Sequence, residues 1–114
     1  MKTLILSALA VFFSLTGFSQ ITINEIDSNT PGSDTAEFVE LYAAEETSLD
    51  GYFLVFFNGN GDSAYNVIDL TENTITDGFF VVGNAAVANV DVVFDDNDLQ
   101  NGADAVALYL NPGV

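Results

Sequence analysis

A chain of 114 residues with 17 acids, a single base at Lys2, and neither His nor Cys is restricted in the chemistry it can perform. Ser-His-Asp and Cys-His nucleophiles, a basic clamp for phosphate and a His/Cys zinc site are all excluded by composition. Every acid lies beyond residue 20, so the surface repels phosphate backbones and anionic membranes, which argues against direct nucleic-acid or membrane binding.

Met1-Lys2-Thr3 is a short positive start, Leu4 to Leu15 is an almost unbroken apolar run, and Thr16-Gly17-Phe18-Ser19 is a small-residue exit. This is the layout of a secretory signal peptide over residues 1–19, cleaved between Ser19 and Gln20. A membrane span needs about 20 apolar residues, more than this run supplies, and no later segment is long enough either. The expected product is a secreted or cell-surface domain over residues 20–114 with 17 acids and no base. A Schiff-base lysine is then also absent. Divalent cations, basic proteins and neutral polymers such as glycans are the partners such a surface favours; alternatively, the acids serve only solubility. Without cysteine, so small a core has no disulfide support.

After residue 20, β-branched and aromatic runs alternate with turn residues about every ten positions, which predicts an all-β sandwich or barrel. Strands are expected at Ile21–Ile26, Glu37–Ala43, Tyr52–Asn58, Tyr65–Leu70, Phe79–Val82, Val92–Phe94 and Asp104–Leu110. Pro31-Gly32, Asp50-Gly51, Asn58-Gly59-Asn60-Gly61, Asp77-Gly78, Asn101-Gly102 and Asn111-Pro112-Gly113 read as turns. Gly83–Asn89 offers at most a short helical turn. In Glu37–Ala43, Phe38, Glu40 and Tyr42 share a face opposite Val39 and Leu41. In Tyr52–Asn58 both faces are apolar, so this strand is either covered twice or presents a hydrophobic patch; a doubly covered core strand is the expectation. In Asp104–Leu110, Val106, Leu108 and Leu110 lie opposite Ala105, Ala107 and Tyr109, the alanines suiting a close or covered face.

Carboxylates carry whatever chemistry remains. Ser33-Asp34-Thr35-Ala36 resembles the Asp-Thr-Gly loop of dimeric aspartic proteases, but Ala36 replaces the glycine and Pro31-Gly32-Ser33 replaces the apolar lead-in, so a turn opening the next strand is the ordinary reading. A glycosidase pair is unsupported, since any two acids can be nominated. Asp95-Asp96-Asn97-Asp98 places three carboxylates and an amide within four residues. Asp95, Asp96 and Asp98 are the candidate Ca2+ ligands, because calcium favours oxygen donors from one flexible loop. The spacing is not that of an EF-hand: counting from Asp96, position six is Asn101 and position twelve is Ala107. A solvated acidic turn is the alternative. Glu25, Asp27, Asp34, Glu37 and Glu40 form a second acidic set, in which Glu40, flanked by aromatics, reads as a half-buried acceptor or part of a ligand patch.

The strings Ile23-Asn24-Glu25-Ile26, Asp34-Thr35-Ala36-Glu37-Phe38-Val39-Glu40-Leu41-Tyr42 and Leu49-Asp50-Gly51-Tyr52, followed by Phe79-Phe80-Val81-Val82-Gly83-Asn84 and Leu99-Gln100-Asn101-Gly102-Ala103-Asp104-Ala105-Val106-Ala107-Leu108-Tyr109, resemble in order the blocks of lamin-tail domains of bacterial secreted proteins. The resemblance covers Ile21 to Val114. It implies an immunoglobulin-like antiparallel β-sandwich and a non-catalytic role beside extracellular nucleases or other hydrolases. The chain ends where that family continues into another strand, so a sandwich lacking its last strand or strands is expected. Ala43-Ala44 depart from the family, standing where an Asn-containing turn is expected.

Three functions follow as expectations. The first is an accessory or binding module of an exported protein, the N-terminal part of a larger secreted hydrolase or nuclease, whose partner is a downstream domain or another protein. The second is a self-standing calcium- or carbohydrate-binding surface protein, and the third a hydrolase working with carboxylates alone. Mutual repulsion among the acids predicts that added salt raises the melting temperature by screening; a midpoint unchanged between low and high salt would show the charges to be too dispersed to matter.

Overall fold

The computed structural model describes residues 20–111 and 113. The segment read as a leader, 1–19, lies outside the described residues, as do parts of the last expected turn. Nine strands and no helix are found among the described residues: β1 (Thr22–Asp27), β2 (Phe38–Tyr42), β3 (Thr47–Ser48), β4 (Tyr52–Asn58), β5 (Ser63–Asp69), β6 (Thr74–Ile75), β7 (Phe79–Gly83), β8 (Val92–Val93) and β9 (Ala105–Leu110). No helix among them is long and apolar enough to cross a membrane.

The strands form a β-sandwich. One sheet has the order β1-β2-β7-β8, the other β5-β4-β9, and the β3-β6 ladder closes one end. Period-two alternation determines what faces inward. Val39 and Leu41 of β2, Leu54 and Phe56 of β4, and Phe80 and Val82 of β7 are buried in one cluster with Leu49, Leu70, Ile75, Phe94 and Leu99. Phe56 and Phe94 meet edge to face at 5.3 Å between centroids, a favoured aromatic geometry.

All seven expected strands are present, with ends shifted by up to two residues. The two extra strands, β3 and β6, have two residues each. They are too short for any period to show. The sandwich is antiparallel as expected except at β8, which pairs parallel to β7 through Val82 and Val92. A tight return of the chain explains it. Val87 N–H donates to Asn84 O at 3.0 Å, and Asp91 clamps Val81 from both ends: Val81 N–H donates to the Asp91 carboxylate and Asp91 N–H to Val81 O, each at 2.8 Å. The Asp50-Gly51 and Asp77-Gly78 turns form as predicted, with positive φ at both glycines.

The expectation for β4 is corrected. Its inward face, Tyr52, Leu54 and Phe56, enters the core, but nothing among the described residues covers the opposite face. Val55 is buried between flanking strands, whereas Phe53 and Phe57 are half-buried and Val67 of β5 and Tyr109 of β9 are 59% and 52% exposed. The alanine face of β9 belongs to this uncovered side, so it is not the covered face that the alanines suggested: Ala105 is exposed and Ala107 half-buried. A bulge singles out Tyr65. Phe56 pairs with Asn66 and Phe57 with Ala64, leaving Tyr65 without a cross-strand partner, and its ring turns towards Phe56 at 6.0 Å.

Candidate functional site

At the end of the sandwich opposite β3-β6, the loop before β2 meets the loop between β8 and β9. Phe38 pairs with Gly83, so Glu37 and Asn84 form the next rung. Both are fully buried. Asn84 N–H donates to Glu37 O at 2.9 Å, and Glu37 N–H donates to the Asn84 side-chain oxygen at 2.6 Å. The Asn84 amide also donates to the Asp95 and Phe94 carbonyls, at 3.0 and 3.5 Å. Glu37 Oε2 accepts from the N–H groups of Asp98 and Leu99 at 3.2 and 3.4 Å, while Oε1 has no hydrogen-bond partner. Glycine at 83 permits this approach. A Cβ there would stand 2.9 Å from both Glu37 O and the Phe38 Cβ.

The acidic turn is therefore held from beneath. Asp95 and Asp96 are exposed and Asp98 is half-buried, with the Asp98 carboxylate accepting from the Asn66 amide. Asn97 adopts a positive φ of 58°, which a short amide side chain tolerates. The three calcium candidates do not converge: no group of three or more acidic side chains placed to hold a metal ion exists among the described residues. Asp34, the residue of the protease-like string, is engaged on both oxygens, by Thr30 N–H at 2.9 Å and by the Asn101 amide at 2.9 Å. Its carbonyl accepts from Asn97 N–H at 3.0 Å.

Electrostatics single out Glu37. Burial pushes its carboxyl above the usual carboxylate range, and the Leu99 N–H, the Asn84 side chain and the Asp98 N–H pull the other way. Tyr65, whose oxygen accepts from Gln100 N–H at 3.1 Å, is likewise raised, first by burial and further by the charges of Asp104, Asp98 and Glu37. A perturbed carboxyl in a cleft is a candidate catalytic group, but Glu37 has no exposed surface and a substrate cannot reach it. Its role is to hold the loops.

The accessible features lie on the two outer faces. On the first sheet, Phe38, Glu40 and Tyr42 point outward as expected, and Glu40 accepts from the Asn24 amide at 2.7 Å. Asn24 is free to do so because a bulge between Ile23 and Glu25 takes it out of register. Two shallow grooves, of about 470 and 400 Å³, meet at Glu40. On the second sheet, the uncovered face carries Phe53, Val55, Phe57, Val67 and Tyr109, with Phe57 and Tyr109 in contact at 6.2 Å between centroids. Asp69, opposite Phe53, stands at the rim. Its carboxyl is lowered by the Thr71 hydroxyl and N–H.

No protein-family model, no curated protein and no solved structure matches the chain.

Replacing Asn84 with alanine removes the acceptor for Glu37 N–H and the donor to two carbonyls. Each buried backbone group left unpaired costs roughly 1–3 kcal/mol, so a clear fall in denaturant midpoint is expected, and an unchanged midpoint would show that water replaces the amide. The raised Glu37 pKa has a defined sign in the stability profile. A carboxyl that binds its proton more tightly when folded contributes stability that is fully present below its unfolded pKa of about 4.3 and is lost as pH rises through the folded value. The melting temperature therefore falls as pH is raised from 4 towards 7, and Glu37→Gln, which cannot ionise, makes that fall shallower. Superimposable profiles for the two proteins would refute the assignment.

Proposed function

We propose that this chain is a non-catalytic binding module of an exported protein, holding a further domain or another protein against the uncovered face of the β5-β4-β9 sheet. The observation that carries the reading is that face itself. Antiparallel sheets in water normally alternate apolar inside with polar outside, whereas here Phe53, Val55, Phe57, Val67 and Tyr109 put apolar groups on the outer side as well. Large aromatic side chains at the centre of a patch with a charged rim are what protein interfaces select, and Asp69 supplies such a rim. The remaining chemistry supports the same reading. Residues 20–114 contain no His, Cys, Lys or Arg, and Glu37, the carboxylate raised by burial among the described residues, is sealed from solvent. The resemblance to lamin-tail domains of secreted bacterial proteins points the same way, towards a place in a larger exported protein beside a nuclease or other hydrolase.

A photo-crosslinking side chain at Val67, tested on secreted and surface proteins of the producing cells, is expected to capture a discrete partner. The same side chain at Ala85, exposed on the far side of the sandwich, is expected to capture none. Equal capture from both positions, or from neither, would remove the reading.

A further inference from the structure

We infer that Asn60 is a site of self-modification: the backbone nitrogen of Gly61 displaces its side-chain amide, and water opens the resulting imide to aspartate or isoaspartate. The same dipeptide at Asn58-Gly59 and Asn101-Gly102 is held back from this reaction by the fold. The site is independent of the binding-module reading.

The chemistry makes three demands. The Asn carboxamide must swing until its Cγ meets the next backbone nitrogen, that nitrogen must give up its proton, and the following residue must leave room for a five-membered ring. Glycine meets the last demand by lacking a Cβ. The chain has three Asn-Gly pairs, at 58–59, 60–61 and 101–102. By sequence they are equal.

The structure separates them. Asn58 is the last residue of β4 and is half-buried. Its amide donates to Gln100 Oε1 at 3.0 Å, and its side-chain oxygen accepts from Asn60 N–H at 2.9 Å. Gly59 N–H, the group that would attack, donates to the Asp104 carboxylate at 3.0 Å. A Cβ at Gly59 would overlap Ala103 O, so the backbone there has no space to turn. Asn101 is exposed, but its amide donates to Asp34 Oδ2 at 2.9 Å. The Asp104 carboxylate oxygens lie 3.5 and 3.7 Å from where a Gly102 Cβ would stand, and a negative charge so near opposes loss of a proton from the Gly102 nitrogen.

Asn60 has none of these restraints. It and Gly61 are exposed in the turn between β4 and β5. The Asn60 N–H is held by Asn58, but no hydrogen bond holds the Asn60 side chain among the described residues. Gly61 N–H makes only a long bond to Asn58 O, at 3.4 Å. Beyond its chain neighbours, a Gly61 Cβ would meet Ser63 Oγ alone, at 3.6 Å. The imide ring has open space.

The atoms balance with water as the sole co-reactant. Gly61 N bonds to Asn60 Cγ as the Cγ–Nδ2 bond breaks. The proton from Gly61 N passes through solvent to the leaving nitrogen, which departs as ammonia. Water then adds to one of the two imide carbonyls. Cleavage at Cγ restores the ordinary chain with aspartate at 60, and cleavage at the α-carbonyl carbon leaves the chain running through Cβ, as isoaspartate. The last paired residues of β4 and β5 are Asn58 and Ser63, so the lengthened connection falls outside the ladder and the sheet persists.

The test is incubation of the folded protein in mildly alkaline buffer, then chymotryptic digestion, since residues 20–114 offer trypsin no site. Fragmentation mass spectrometry separates Asn58 from Asn60 and aspartate from isoaspartate. Conversion at Asn60 is expected to outrun that at Asn58 and Asn101 by about tenfold, as one charge-assisted hydrogen bond to break warrants. Both products should appear, and the denaturant midpoint should not move. In urea the three rates should converge. Gly61→Ala, which places a methyl in open space, should keep the fold and slow Asn60 severalfold by crowding the attack. Any of five results overturns the inference: comparable rates at the three sites in the folded protein, the same ranking persisting in urea, aspartate without isoaspartate, an unchanged rate in Gly61→Ala, or no conversion at Asn60 while the unfolded protein converts.

Discussion

The loop end of this sandwich depends on one buried polar rung. Glu37 and Asn84 extend the β2-β7 ladder by a step in which a side-chain oxygen takes the place of a backbone carbonyl, and the two side chains together bind four backbone groups of residues 94–99. Buried polar groups are stable only when their partners are supplied. Here the partners belong to a loop remote in sequence, so the rung fixes where Phe94 and Leu99 enter the core and where the acidic turn emerges. Without it the loop would have to find new acceptors and donors, and the aromatic contact between Phe56 and Phe94 would lose its anchor.

The seventeen acids have no basic side chain to meet in residues 20–114, and the fold uses them differently. Backbone N–H groups of Asn29, Thr30, Glu72, Thr71, Val81 and Gly59 donate to Asp27, Asp34, Asp50, Asp69, Asp91 and Asp104 respectively. Hydrogen bonds to an ionised acceptor are stronger than neutral ones, so a surface that looks merely soluble by composition is also a set of loop clamps. Asp91 shows the effect most clearly. By taking the place of a ladder partner for Val81, it allows a parallel pairing over a connection much shorter than parallel strands ordinarily need.

What could be read from the chain alone follows from the range of the interaction involved. Val39 and Leu41 against Phe38, Glu40 and Tyr42 declare an inward and an outward face by period two, and the strand boundaries follow from local turn chemistry at Gly51 and Gly78. Where two apolar faces coincide, as in β4, the pattern cannot say which one is covered, and the open face emerged only with the sheet order. Glu37 stood among five nearby acids, and nothing local marked it as the buried one. Its burial depends on Asn84, 47 positions away, and on the missing Cβ at Gly83. The Asp95–Asp98 run drew attention by density, but density is not convergence. Among the described residues its three carboxylates form no group placed to hold a metal ion. The lamin-tail resemblance anticipated a sandwich without locating the rung, the open face or the parallel β8.

The directions of the first and last strands have a mechanical consequence. Thr22 pairs with Tyr42 and Leu110 with Tyr52, which places the start of β1 and the end of β9 together beside the β3-β6 ladder. Among the described residues both are outermost in their sheets. Tension drawn through the polypeptide on either side would peel these two strands one rung at a time, as a zip opens, instead of loading all rungs in parallel. Such an arrangement is poorly suited to bear a pull.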